Sequence, residues 1–267
     1  MRNIGLQLYG IRDCFTDETH IRRALKEVAA MGYTQVQTAG FFIGVEAFAD
    51  AIKEAGLEVV GTHYDWEILR TDMNRALREH ARLGTSNVGI GGMPGENRGS
   101  VAATEAFIRE ANRLAAELAV HGCKFTYHNH DFEFRRLEDG RTAMEHLIDG
   151  LDPNNISFVL DVYWVQHAGA DVRRMIERLA GRIDILHLKD MGLTPGESVR
   201  PCITEIGSGN MDFRDITATA DAAGVRYYVV EQDDNFAVDP MSSARISFRY
   251  LADKVFNEPA RPEPLPR

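Results

Sequence analysis

Apolar residues fall into short runs, separated by longer stretches in which they recur every three or four positions. Eight runs rich in Val, Ile, Leu and Tyr, flanked by Gly or Asp, read as strands at about residues 3–9, 34–39, 57–63, 86–91, 123–128, 156–161, 183–188 and 226–231. The stretches between them read as helices. Thr16-Asp17-Glu18 opens one whose buried stripe is Ile21, Ala24, Leu25, Val28 and Ala29, with Gly32 placed to cap its end. Thr104 to Leu118 repeats the pattern, with Ala106, Phe107, Ala111, Leu114 and Leu118 on one face. Asp239-Pro240 pairs an N-cap with Pro at the first helical position and starts a last helix towards Val255.

Strict alternation of strand and helix predicts a parallel sheet with helices outside it. Eight repeats fit an α/β fold, a single (β/α)8 TIM barrel with eight parallel strands. Such a barrel takes about 250 residues, and the chain has 267. One barrel domain over residues 1–256 uses nearly all of it, and the proline-rich stretch 257–267 reads as an extended tail. A doubly wound open sheet is the competing architecture, but no Gly-x-Gly-x-x-Gly follows the first strand, which weakens its dinucleotide-binding form. The connections at 93–99 and 191–212 are longer than the scaffold needs and follow strands, on the face where barrel enzymes build their sites.

Charge and composition narrow the partners. A net charge of −10 argues against nucleic acid, whose phosphates need a basic face. Cys14, Cys123 and Cys202 form no Cys-x-x-Cys pair, so neither a disulfide framework nor a zinc finger is expected, and a reducing compartment suits them. Met1 to Leu6 leads straight into the first strand without a secretory apolar core, and no stretch approaches the roughly 20 apolar residues that cross a bilayer. A cytoplasmic location and no membrane partner are the expectations.

Four strand ends carry metal-ligating side chains: His128, Asp161, His187 and Glu231. In a barrel, the C-terminal ends of neighbouring strands converge on one axis, so one cation could touch all four. Each residue alone reads as a polar plug or a helix cap; the shared position on successive strands points to a metal. Two carboxylates balance a divalent charge, and two nitrogens beside two oxygens suit Mn, Zn, Co or Fe. Lys189 has the strand phase of His187 and can reach the same place to donate to a substrate oxygen; its alternative is a surface lysine. His63 and His130 are candidate proton shuttles or hydrogen-bonded core imidazoles. Trp164 can stack on the apolar face of a sugar or pack under a loop. A phosphate site is not expected, because Gly91-Gly92-Met93-Pro94-Gly95 lacks the lysine of a phosphate loop, leaving Arg12 and Arg98 as the nearby cations. No Gly-x-Ser-x-Gly elbow suggests a serine hydrolase.

A long ordered set of segments resembles the xylose-isomerase-like superfamily over nearly the whole chain. Its carriers are Gly5-Leu6-Gln7-Leu8-Tyr9, Gly32-Tyr33-x-x-Val36, Gly61-Thr62-His63, and Tyr127-His128-Asn129-His130-Asp131-Phe132-Glu133-Phe134. They continue with Leu160-Asp161-Val162-Tyr163-Trp164, His187-Leu188-Lys189-Asp190, Gly207-x-Gly209 and Val230-Glu231-Gln232-Asp233. The His-Asn-His strand end is similar to the subgroup called sugar phosphate isomerase/epimerase. The resemblance implies one divalent metal, Mn foremost with Zn, Co, Fe or Mg as alternatives, and a small sugar or cyclitol substrate. It also implies ligands in the order Glu, Asp, His, Glu, of which the last three match Asp161, His187 and Glu231. His128 stands where the first Glu is usual. A ligating imidazole cannot serve as a second base, and it leaves the metal about one unit more positive. Glu133, shortly after His128, is the substitute base or the rival fourth ligand.

The expected activity is metal-dependent isomerisation or epimerisation of a sugar or keto-sugar. A proton is taken from beside a carbonyl by Glu133, His130 or Glu231, giving an enediolate, while Lys189, His63 and Trp164 contact the substrate. A lyase or dehydratase acting on a keto-sugar, inosose or 3-keto-glycoside is the alternative at the same site. A nuclease like endonuclease IV or a non-catalytic subunit are more remote. Pairing into a homo-oligomer is left open.

Overall fold

The structure, a computed structural model, describes residues 2–257. The proline-rich tail lies outside the described residues except for Asn257. Eight parallel strands form a nearly closed barrel: β1 (Gly5–Gln7), β2 (Gln35–Ala39), β3 (Glu58–His63), β4 (Asn87–Ile90), β5 (Lys124–His128), β6 (Ile156–Asp161), β7 (Ile183–Leu188) and β10 (Tyr227–Val230). Their order is β3-β2-β1-β10-β7-β6-β5-β4. A separate antiparallel hairpin, β8 (Asp190–Leu193) and β9 (Pro201–Thr204), rises from the loop after β7.

Every residue of β6 and β7 is buried, as expected for parallel strands covered on both faces. Inside the barrel Val60, Val159, Ile185 and Val229 pack as a cluster of their own, distinct from the main core between sheet and helices. Strands β3 and β4 meet at the seam. There the Tyr64 N–H donates to the Gly89 carbonyl at 2.7 Å, and the Asn87 amide donates to the Val60 carbonyl at 2.8 Å. Gly89 is required by this closeness: a Cβ on it would overlap the Thr62 carbonyl oxygen and Thr126 Oγ1.

Local signals set the helix ends. Asp17 accepts from the His20 N–H to cap Glu18–Met31, and Gly32 ends that helix at φ 112°. The helix expected from Thr104 begins earlier, at Val101, because Ser100 caps it by accepting from the Ala103 N–H. Asp239 caps Pro240–Tyr250, which continues as a π-helical turn over Leu251–Phe256.

Two expectations need correction. The first strand stops at Gln7 rather than reaching residue 9, because the Gln7 side chain accepts from the Tyr9 N–H and turns Leu8–Cys14 into a 3-10 helix. The segment 191–212, expected only as a long connection, contains the β8–β9 hairpin. Its return is anchored by the buried Asp190 carboxylate, which accepts from the N–H groups of Met191, Gly207, Gly209 and Met211. Among the described residues, no helix is long and apolar enough to cross a membrane.

Candidate metal centre

The ends of β5, β6, β7 and β10 bring His128, Asp161, His187 and Glu231 together, buried, with one ligand atom of each within 4.8 Å of the others. Asp161 divides its carboxylate between fold and site. Oδ1 accepts from the N–H groups of Tyr163 and Trp164, capping the short helix Val162–His167, which leaves Oδ2 for the cluster. His128 Nδ1 lies 3.1 Å from the Gly91 carbonyl oxygen, which can only accept, so Nδ1 carries a proton and in the neutral ring Nε2 offers the lone pair. His187 Nδ1 lies 2.9 Å from Glu231 Oε2 and 3.8 Å from Asp161 Oδ2, and its Nε2 donates to Gln37 Oε1 on β2.

One nitrogen in this cluster faces two carboxylates without a hydrogen bond. His128 Nε2 is 3.5 Å from Asp161 Oδ2 and 3.8 Å from Glu231 Oε2 and makes no hydrogen bond, while Asp161 Oδ2 meets only the Lys189 ammonium. Buried polar atoms are nearly always paired. A lone pair and two carboxylates converging on one point form a donor set that a divalent cation satisfies. The residues present therefore fit a metal ion.

Lys189 lies fully buried beside them, its Nζ 2.7 Å from Glu231 Oε2, 3.0 Å from Asp161 Oδ2 and 2.9 Å from Asp233 Oδ2. Burial alone would lower the lysine pKa, but Asp161, Glu231 and Asp233 hold it well above its ordinary range. Burial would raise Asp161 and Glu231; Lys189 and the imidazoles outweigh it and keep both below the usual carboxylate range. His187 would be lowered by burial, yet Glu231 and Asp161 carry it up to about 9.

The other predicted residues frame this cluster. The His63 ring centre lies 4.8 Å from that of His128 and 5.5 Å from that of His187. Burial, then His128 and His187, push the His63 pKa well down, so it is a neutral imidazole. His130 sits edge-on to His128 at 4.8 Å, stacks on Phe132 and lies 5.4 Å from Trp164. Burial and His128 lower it to about 3. The Lys189 ammonium lies 5.4 Å from the Trp164 ring centre, so one wall of the site is aromatic.

Glu133 does not join the cluster. Its Oε1 accepts from the Tyr127 hydroxyl at 2.6 Å, and its Oε2 accepts from the His130 N–H at 2.9 Å. Among the described residues, Glu133 thus stands outside the four-residue cluster that contains His128, with both its oxygens hydrogen-bonded. Arg12 packs on the Tyr9 ring and donates to the Asp233 carbonyl, and Arg98 packs on Phe132 and donates to the Met93 carbonyl. Sequence reasoning did not single out Gln7, Gln37 or Asp233 for the site. The available signals were the inward strand phase of the two glutamines and the two-residue step from Glu231 to Asp233.

Comparisons with known proteins agree with this architecture. A profile of the xylose isomerase-like TIM barrel family matches residues 21–254. A curated relative, the inosose dehydratase of Geobacillus thermodenitrificans, is 26% identical over 157 residues, covering 53% of this chain and 51% of that protein. The chain thus spans about half the length of the curated relatives it matches. A sugar phosphate isomerase/epimerase from Parabacteroides distasonis superposes with a TM-score of 0.79 at 24% identity, over 94% of this chain and 93% of that one. An L-ribulose 3-epimerase superposes with a TM-score of 0.71 at 17% identity, over 94% of each chain. The chain belongs to the xylose isomerase-like TIM barrel family.

Proposed function

Within this family, we propose that the chain is a divalent-metal-dependent enzyme that removes a proton from the carbon next to the carbonyl of a keto-sugar or cyclitol. The observation that carries this reading is His128 Nε2, a buried nitrogen without a hydrogen-bond partner, 3.5 Å from Asp161 Oδ2 and 3.8 Å from Glu231 Oε2. His128, Asp161, His187 and Glu231 would hold the cation, with manganese favoured. Such a cation, when bound, polarises a carbonyl and makes the adjacent C–H acidic.

The protein's own groups divide the remaining work. Glu231 takes the proton, because its Oε1 is free of the His187 and Lys189 contacts that hold Oε2, whereas Asp161 caps a helix through Oδ1 and meets Lys189 through Oδ2. Lys189 stays an ammonium among three carboxylates and stabilises negative charge on the enediolate oxygen. Trp164 and His130 present ring faces and edges to the apolar side of the substrate, and His63 contacts one of its oxygens. A neutral polyol suits a chain with a net charge of −10.

The outcome follows from the number of bases. Epimerisation uses a base on each face of the carbon, and with Glu133 engaged the cluster offers Glu231 as its one candidate. Glu231 can instead return its proton to a departing β-hydroxyl on the same face, which loses water. That favours dehydration over the isomerase or epimerase outcome, and the similarity to inosose dehydratases supports it.

Incubating the manganese-loaded protein in D2O with inososes and with L-ribulose, followed by NMR, tests both outcomes. Loss of water to an unsaturated ketone is expected with an inosose. Deuterium incorporation without water loss would shift the reading to an isomerase or epimerase. No exchange and no product with any of these substrates would refute the enolisation chemistry.

A further inference from the structure

Gln7 on β1 and Gln37 on β2 are direct register partners on neighbouring parallel strands, and both are fully buried. Each amide meets a different imidazole, and the two present opposite ends. The orientation of Gln7 is fixed by a group that can only donate: the Tyr9 N–H gives its proton to Oε1 at 3.3 Å, so Nε2 faces His63 Nδ1, also at 3.3 Å. An amide NH2 has no lone pair to offer, so His63 Nδ1 must accept, and the neutral ring keeps its proton on Nε2. That Nε2 is buried and has no partner among the described residues. Gln37 offers its carbonyl oxygen to His187 Nε2 instead, so the lasting proton of that ring is on Nε2 and Nδ1 is left for a cation beside Asp161 and Glu231.

We propose that this glutamine pair selects the tautomers of the two imidazoles, making His187 a ligand through Nδ1 and His63 a fixed N–H donor to a substrate oxygen. The identity of that oxygen as a sugar or cyclitol oxygen rests on the proposed function; the tautomers do not. Gln7 and Gln37 are thus positioning residues. An unpaired buried donor is costly, and a substrate oxygen at His63 Nε2 relieves it. The same assignment removes His63 from the candidate bases, because its only lone pair is taken by Gln7. Hydrogen-bond partners of a ligating His commonly set metal affinity by about 10–100-fold, which gives the Gln37 contact a measurable size.

Long-range proton–nitrogen NMR on protein labelled with nitrogen-15 histidine, with Zn(II) as a diamagnetic probe, reports which ring nitrogen is protonated. His63 is expected to carry its proton on Nε2 with or without zinc. In Gln7→Glu, whose carboxylate can only accept from the ring, that proton moves to Nδ1. On any sugar that the wild-type protein turns over, Gln7→Glu then lowers kcat by about 100-fold or more with a smaller change in KM, as the loss of an oxyanion donor does. Calorimetry should show zinc binding weakened about 10–100-fold in Gln37→Leu and Gln37→Met, and largely restored in Gln37→Glu, which keeps an acceptor in place. Circular dichroism identifies whichever of the two acceptor-less variants is folded for this comparison.

A wild-type His63 protonated on Nδ1 would overturn the assignment, as would a folded Gln37→Met that binds zinc like the wild type. A Gln7→Glu protein whose proton has moved but whose kcat is unchanged overturns the donor role of His63. The predicted tautomers in a protein that turns over no sugar would defeat the proposed function and leave the selection of tautomers standing.

Discussion

Glu133→Gln should stabilise the protein above neutral pH, although it alters a buried hydrogen-bonded carboxylate. Burial pushes the Glu133 carboxyl from an ordinary 4.5 up to about 7, against hydrogen bonds from Tyr127 and the His130 amide that pull it down. The folded pKa is raised, so between these values the native protein holds a proton that the unfolded chain has released. Stability from this group is fully present below about 4.5 and is lost as pH rises through about 7. At 1.36 kcal/mol per unit, the loss is about 3 kcal/mol. Glutamine reproduces the neutral acid: its oxygen can accept from the His130 N–H while its NH2 donates to the Tyr127 hydroxyl oxygen. Urea unfolding at pH 5 and pH 8 measures the difference. The two proteins should agree within about 1 kcal/mol at pH 5, and the variant should be about 3 kcal/mol more stable at pH 8 with an unchanged m-value. Parallel pH profiles, or a variant less stable at pH 8, would refute the reasoning. On the proposed reading, in which Glu231 is the base, the variant should also keep its turnover.

Lys189→Met leaves the buried Asp161 and Glu231 carboxylates without their cation, a loss of about 3–5 kcal/mol in metal-free protein. Added Mn(II) should therefore raise the melting temperature of the variant more than that of the wild type; an unchanged metal-free melting temperature would contradict the charge balance drawn here. Gly89→Ala forces a Cβ against the Thr62 carbonyl and Thr126 Oγ1 at the barrel seam. It should cost about 1–3 kcal/mol in urea unfolding, and an unaltered midpoint would show that the seam is looser than described.

The barrel was legible where polar residues end an apolar run. The expected limits of β6 and β7, 156–161 and 183–188, coincide with the observed strands, because each ends at the cluster or just past it and is followed by a turn. The end of β1 was hidden, because Leu8, Tyr9 and Ile11 continue the apolar run past the point where the Gln7 side chain bends the backbone. The β8–β9 hairpin was obscured by the Gly, Pro and Ser residues between its short strands, and its anchor, Asp190, acts through distant backbone amides that no local spacing reveals. His128, Asp161, His187 and Glu231 could be grouped because strand ends converge in a barrel. Glu133 could not be placed from the sequence, because its separation from His128 says nothing of the Tyr127 hydroxyl that donates to it. Gln7 and Gln37 were passed over despite their inward strand phase, since glutamine neither titrates nor is a usual ligand; their register beside two imidazoles gives them a role.

The most direct test is a Mn(II) titration followed by the electron paramagnetic resonance of free manganese, with elemental analysis of the dialysed complex, on the wild type and on Asp161→Asn and His187→Ala. One manganese per chain is expected in the wild type and markedly weaker binding in both variants. No stoichiometric binding of manganese, or of zinc or cobalt put in its place, would contradict a metal centre at the mouth of this barrel. So would a cation held equally well after either replacement.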